Sequence, residues 1–205
     1  NTHNRHGGIA HPPEAIDELA AAARRHGLAV HMDGARLFNA AVALGVPASR
    51  LAAPADSVMF CLSKGLSAPV GSVLCGDGDF IARARRFRKM VGGGMRQAGV
   101  LAAAGLVALH QMVDRLTDDH RLARLLAEAL RVVPGVAIDI ARVQTNMVRV
   151  DLPDREARTV AETLRRHGVL VGVSGPRRLR LVTHRHITAQ DIPDIVESFR
   201  AAMSI

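Results

Sequence analysis

A chain of 205 residues, 48% apolar and with a mean hydropathy of +0.12, has the material to bury a core, which excludes a disordered or purely electrostatic segment. The net charge is +8, from 27 basic against 19 acidic residues, yet the only lysines are Lys64 and Lys89, and the arginines are scattered over helical stretches. With five Phe and neither Trp nor Tyr there is no stacking platform for single-stranded nucleic acid, so nucleic acid is set aside as a partner.

In chain order, residues 1–13 are rich in His, Gly, Asn and Pro and read as a polar loop. AIDELAAAARRHG follows with helical spacing and a stop at Gly27. LAVHMD reads as a short strand ending in Asp33, and GARLFNAAVALG as the next helix. The pattern recurs at residues 57–62, a buried strand whose exit loop is Ser63-Lys64-Gly65. A strand ending in a polar residue, with a loop that opens a helix, is where α/β folds keep their chemistry. GSVLCG reads as another strand, DGDFIARARRFRKMV as a helix with a basic face, and Gly92-Gly93-Gly94 as its interruption. QAGVLAAAGLVALHQMVDRL and LARLLAEALRVV are helical and rich in Ala, suited to an interior or a subunit interface. After Pro134 the texture changes: NMVRVDL is a strand, REARTVAETLRRHG a helix, VLVGV and RLRLVT strands, and DIPDIVESFRAAM a final helix. That succession predicts a small α+β domain over residues 134–205, after a larger α/β part and connecting helices over residues 1–133. The few strands before residue 76 are sparse for a complete parallel sheet, and the sequence does not begin with Met, so the chain reads as the later part of a longer protein.

Cys61 and Cys75 make no metal cluster, and no metal site is expected. A lone pair of cysteines is either a disulfide or two thiols. With no secretory pattern and no apolar run near the length of a membrane span, the reading favours buried thiols, a reducing cytoplasmic setting and no membrane partner.

Lys64 sits directly after an apolar strand among Ser and Gly, a setting that turns an amine toward a cavity. It is either an ordinary loop lysine or an amine placed for Schiff-base chemistry, whose nucleophile is the unprotonated form. Asp33 either caps the turn into the next helix or holds a proton on a cofactor nitrogen. One βα unit separates the two, and a Schiff-base lysine with an aspartate for the pyridine nitrogen is the pair that pyridoxal phosphate requires. His31 shares a strand face with Asp33 by the two-residue period and reads as a half-buried strand histidine or a hydrogen-bonding neighbour of the aspartate.

The stretches NTHNRHGG at 1–8, HMDGARLFNA at 31–40, CLSKGLSAPVGS at 61–72, RFRKMVGGGMRQAG at 86–99 and RLVTH at 180–184 together resemble the low-specificity threonine aldolases of pyridoxal-phosphate fold type I. The resemblance runs from the first residue nearly to the last. It implies an α/β fold: part of an aspartate aminotransferase-like large domain followed by a C-terminal α+β small domain. It implies pyridoxal 5′-phosphate as cofactor, Lys64 as the Schiff-base lysine and Asp33 as the partner of the pyridine nitrogen. Arg180 would take the substrate carboxylate, with Arg36 gathering cofactor-side or carboxylate contacts. His3 would lie near the substrate hydroxyl as its base, and Ser63 would donate to the phosphate. Arg96, after the glycine tract, would approach a neighbouring subunit's cofactor in a homodimer or homotetramer. The bland alternatives are surface salt bridges for Arg36 and Arg180, a turn for Ser63, a loop histidine for His3, and a helix cap with a sharp turn for the tract before Arg96.

The resemblance further implies a retro-aldol lyase that splits threonine or allo-threonine into glycine and acetaldehyde. The alternatives are another fold type I lyase or an aminotransferase, and a non-catalytic chain that keeps only the fold and its subunit contacts. The sequence departs from the family in lacking the front of the large domain with its phosphate loop and ring-stacking histidine, and in carrying His186 where an acidic residue is common.

Overall fold

The computed structural model describes residues 7–204. Contact density divides the chain into an N-terminal unit, Ala10–Arg115, and a C-terminal unit, Leu116–Ile205, which residues 7–9 join.

In the N-terminal unit, α1 (Pro13–Arg25) starts on proline, carries Glu14 in its first turn and Arg24 and Arg25 in its last, and so complements its own dipole. It stops where Gly27 takes φ +65° and Leu28 N donates back to Ala23 O. Strand β1 (His31–Asp33) alternates exposed, buried, exposed, with Met32 turned inward. Helices α2 (Leu37–Leu44) and α3 (Ala48–Ala52) follow, then β2 (Ser57–Cys61) and β3 (Ser72–Gly76). Among the described residues these strands form a sheet of order β1-β2-β3, with β1 parallel and β3 antiparallel to β2. Leu37, Ala40, Ala41 and Leu51 bury against Met32 and Val58 to cover it. Each buried leucine there contributes about 1.5–3 kcal/mol and each alanine methyl about 0.8 kcal/mol. Helices α4 (Gly78–Met90) and α5 (Gly99–Gln111) complete the unit. Asp77 caps α4 by accepting from Phe80 N at 2.7 Å.

The C-terminal unit is built on α6 (Leu116–Leu130), whose Leu122, Ala123, Leu126, Ala127 and Leu130 form one buried stripe. That stripe packs with Val148 and Val150 of β4 (Met147–Asp151), Leu164 of α7 (Ala157–Arg166), Leu179 and Leu181 of β6 (Arg178–Val182) and Phe199 of α8 (Asp191–Met203). With β5 (Gly172–Gly175) the strands form an antiparallel sheet of order β4-β6-β5.

Four expectations differ from the structure. The first of the two Ala-rich helices, expected to run to Leu116, stops at Gln111; residues 112–115 turn, Arg115 donates to the Gly65 carbonyl at 3.4 Å, and the second helix already starts at Leu116. The division between units falls after Arg115, ahead of Pro134, because the stripe of α6 belongs to the C-terminal core. The strand expected at VLVGV starts only at Gly172, because Gly168 (φ +81°) and Val169 terminate α7, Val169 N donating to Leu164 O at 2.9 Å. Cys61 and Cys75 are unpaired as expected of thiols but are not buried: Cys61 is half-buried, and Cys75 lies exposed on β3.

Candidate active site

Asp33 is the last residue of β1, and Met59 of β2 is its partner in the parallel register. The backbone leaves β1 through Gly34, whose N–H donates to Met59 O at 2.8 Å and so ties the end of β1 to β2. A Cβ at position 34 would lie 2.8 Å from that same oxygen, so only glycine permits the approach that sets Asp33. The exposed Asp33 accepts from Ala35 N at 3.1 Å through Oδ1. It braces the turn before α2 and does not cap the helix itself, whose N-cap is Arg36. His31 is exposed, not half-buried, and its Nδ1 lies 2.8 Å from Ser57 Oγ, so it engages β2.

Lys64 follows β2 on a loop that returns to β3. The loop is closed by main-chain bonds: Leu62 N and Ser63 N donate to Gly71 O at 3.0 and 3.3 Å, Ala68 N to Leu62 O at 3.0 Å and Ser67 N to Lys64 O at 2.9 Å. Gly71 turns at φ +106° to make the closure. Leu62, Gly65, Leu66 and Ala68 are buried while Ser63 and Lys64 are exposed, so the apolar side chains anchor the loop and leave the amine outside it. Among the described residues the Lys64 amine has no hydrogen-bond or ion-pair partner. Ser63 Oγ donates to Gly71 O at 3.3 Å, the turn role, and keeps lone pairs to accept with.

β1 and β2 are parallel, so Asp33 and the Lys64 loop leave the carboxyl ends of adjacent strands, the position where open α/β sheets assemble ligand sites. An unpartnered primary amine on the loop after one strand and a carboxylate at the end of its parallel neighbour make a donor set that fits pyridoxal phosphate. Arg36 is half-buried at the start of α2, on the same exit turn as Asp33.

The glycine tract serves α4: Gly92 takes φ +80° and donates to Lys89 O, and Gly93 N donates to Arg88 O at 2.8 Å. It is a helix cap and turn, and Arg96 stands exposed beyond it. Arg180 belongs to the C-terminal unit, half-buried on the face of β6 opposite the apolar core, with its Nε buried and without a hydrogen-bond partner among the described residues. His3 lies outside the described residues. Sequence reasoning missed Arg115, which supports the lysine loop through Gly65, and Gly105 of α5, where a Cβ would come within 3.0 Å of Leu62. Neither carries a local signal, because each acts on a segment remote in sequence.

Among the described residues no group of His, Cys, Asp or Glu is arranged for a metal ion, and no helix is long and apolar enough to cross a membrane.

Residues 1–153 match the family model described as beta-eliminating lyase. The chain is 48% identical over 202 residues to a probable low-specificity L-threonine aldolase 2 of Arabidopsis thaliana, covering 97% of this chain and 57% of that protein. It is 42% identical to the low specificity L-threonine aldolase of Escherichia coli K12, covering 98% of this chain and 59% of that one. The chain therefore spans less than two thirds of the length of these curated relatives. A crystal structure of a putative aromatic amino acid beta-eliminating lyase/threonine aldolase from Exiguobacterium superposes with a TM-score of 0.79 at 22% identity, over 96% of this chain and 58% of that one. A putative L-allo-threonine aldolase from Listeria monocytogenes gives 0.78 at 19% identity, over 96% and 58%. Both show the fold: the large α/β domain and C-terminal small domain of the fold type I enzymes.

Proposed function

The chain belongs to the beta-eliminating lyase family, where its sequence is similar to the low-specificity L-threonine aldolases, and from that premise we propose that it carries the lysine and aspartate of a pyridoxal-phosphate-dependent carbon–carbon lyase. Its substrates are β-hydroxy-α-amino acids, L-threonine and L-allo-threonine, cleaved to glycine and an aldehyde. The observation that carries the reading is the unpartnered Lys64 amine on the loop after β2, beside a parallel strand that ends in Asp33.

Pyridoxal phosphate, when bound, supplies a pyridinium ring that accepts the electron pair released at the substrate α carbon. The Lys64 amine is the nucleophile that would hold the cofactor. Asp33 keeps a proton on the pyridine nitrogen, because an anion beside that atom favours its protonated form. Arg180 binds the carboxylate through parallel N–H bonds, and Arg36 and Ser63 contact the cofactor side. His3 removes the proton of the β-hydroxyl, directly or through water. The Cα–Cβ bond then breaks, the hydroxyl carbon leaves as the aldehyde, and a proton at the α carbon completes glycine. No second substrate is consumed.

Two broader features fit the reading. Among the described residues α4 buries no side chain, and Phe87, Met90, Val91, Met95 and Val100 are exposed, as suits a homodimer or homotetramer built across this region, Arg96 included. Unpaired thiols suit a cytoplasmic setting.

The test is aldehyde release from L-threonine without a keto acid, joined to borohydride reduction. Acetaldehyde in the keto-acid-free mixture supports a lyase, whereas no acetaldehyde, with an added keto acid converted to its amino acid, makes the protein an aminotransferase. Lys64→Ala is expected to abolish borohydride-fixed pyridoxal, and fixation on the variant would show Lys64 to be the wrong amine.

A further inference from the structure

The face of the C-terminal sheet turned away from its apolar core collects three guanidinium groups. In register, Arg149 of β4 stands directly opposite Arg180 of β6, Asp151 opposite Arg178, and Gly172 of β5 lies on the other side of Arg180. Like charges directly opposite one another destabilise a sheet unless something absorbs them. Asp151 does so for two of the three: its Oδ1 accepts from Arg178 Nε, and its Oδ2 lies 3.7 Å from Arg149 Nε. Arg149 is drawn toward a small hollow of about 120 Å³ that it lines with Asp151, Asp139 and Arg142. Among the described residues no carboxylate reaches Arg180, and its buried Nε has no acceptor. A buried donor without an acceptor is costly to maintain, and a ligand that supplies the acceptor recovers that cost.

The Arg180 side chain lies against Gly172. A Cβ at 172 would stand 3.4 Å from Arg180 Nη2 and 3.7 Å from Nε, so the guanidinium already lies in van der Waals contact with that position. A methyl group makes ordinary contact there. A branched side chain competes with the guanidinium for the space next to that contact.

We propose that Gly172 is a positioning residue for the carboxylate clamp: it seats the Arg180 guanidinium on β5, while Asp151 occupies Arg149 and Arg178, so that the face presents one guanidinium to one carboxylate. The inference rests on the reading in which Arg180 receives the carboxylate of the amino acid.

The probes are glycine, which carries the carboxylate, and methylamine, which lacks it, titrated calorimetrically into the pyridoxal-phosphate-loaded protein. Gly172→Ala is expected to bind glycine within about twofold of the parent, because Cβ fits. Gly172→Val is expected to lose about tenfold or more in glycine affinity, the scale of one misplaced charge-assisted hydrogen bond, with methylamine affinity unchanged. The KM for threonine should rise with it while kcat is retained. If Gly172→Val does not fold, Gly172→Ser sets an Oγ against the same guanidinium and carries the same expectation. Parental glycine affinity in the larger variant, or an equal loss for both probes, overturns the proposal. Arg180→Lys separates the layers: if it leaves the preference for glycine over methylamine intact, the reading of Arg180 itself fails; if it removes that preference while Gly172→Val does not, only the seat fails.

Discussion

Replacing Gly34 by alanine tests the geometry that fixes Asp33. The new Cβ would sit 2.8 Å from Met59 O, 3.1 Å from Leu37 Cβ and 3.4 Å from Val58 Cγ1, and the first of these is a backbone atom that cannot rotate away. Relief requires the end of β1 to separate from β2, lengthening the 2.8 Å bond from Gly34 N to Met59 O. Overpacking of this kind costs about 1–3 kcal/mol. A weakened hydrogen bond adds about 0.5–1.5 kcal/mol, and the stiffer unfolded chain of the alanine variant returns about 0.4–1 kcal/mol. The net is a destabilisation near 2 kcal/mol, within a span of about 0.5–4. With a urea dependence of about 2 kcal/mol per molar, the midpoint falls by about 1 M. Circular dichroism is the natural probe, since the chain has no Trp or Tyr to fluoresce. Gly78→Ala is the matched control: a Cβ there meets nothing within 4 Å, so that variant should be neutral or slightly more stable. A Gly34→Ala midpoint equal to that of Gly78→Ala would refute the argument that close approach holds β1 to β2.

Thr183→Val removes the donor to Asp119 O, a 2.6 Å bond between buried groups, and should cost about 1–3 kcal/mol in a urea titration. Asp33→Asn should lower kcat for threonine by about a hundredfold or more with little change in KM, because the loss falls on the electron sink and not on carboxylate binding. Burial holds the His120 imidazole below its ordinary value of 6.5, with Asp119 partly opposing. The unfolded chain therefore takes up that proton first as pH falls, so stability present above pH 6.5 is lost as pH drops through the depressed value. Urea midpoints at pH 7.5 and pH 5.5 should differ less in His120→Gln than in the parent protein.

The strand ends that carry chemistry were legible because an apolar run followed by a polar residue and a glycine leaves few alternatives: Asp33 and Lys64 both lie where that pattern places them. The turn between α5 and α6 was not legible, because Ala-rich helix has weak amphipathic phase and nothing local marks residues 112–115 as a break. Val169, Leu170 and Val171 have β-forming side chains, yet they follow the cap of α7, and Leu170 remains 81% exposed. The local cap of the helix overrode propensity there. Arg180 was singled out through its motif, whereas Gly172 and Asp151 were not, since their places opposite Arg180 and Arg178 depend on a register between strands that sequence spacing does not specify. The thiols were misplaced for the same reason: the apolar texture of GSVLCG does not reveal that β3 leaves Cys75 open to solvent.

The loop that bears Lys64 takes its shape from main-chain bonds and from buried Leu62, Gly65, Leu66 and Ala68, and the lysine side chain contributes nothing to that closure. Shape and reactivity are thus encoded in different residues. Such a loop tolerates exchange at position 64 without refolding, so in evolutionary drift its chemistry can be lost in a single step while its architecture persists, and a descendant with another residue there would keep the same backbone.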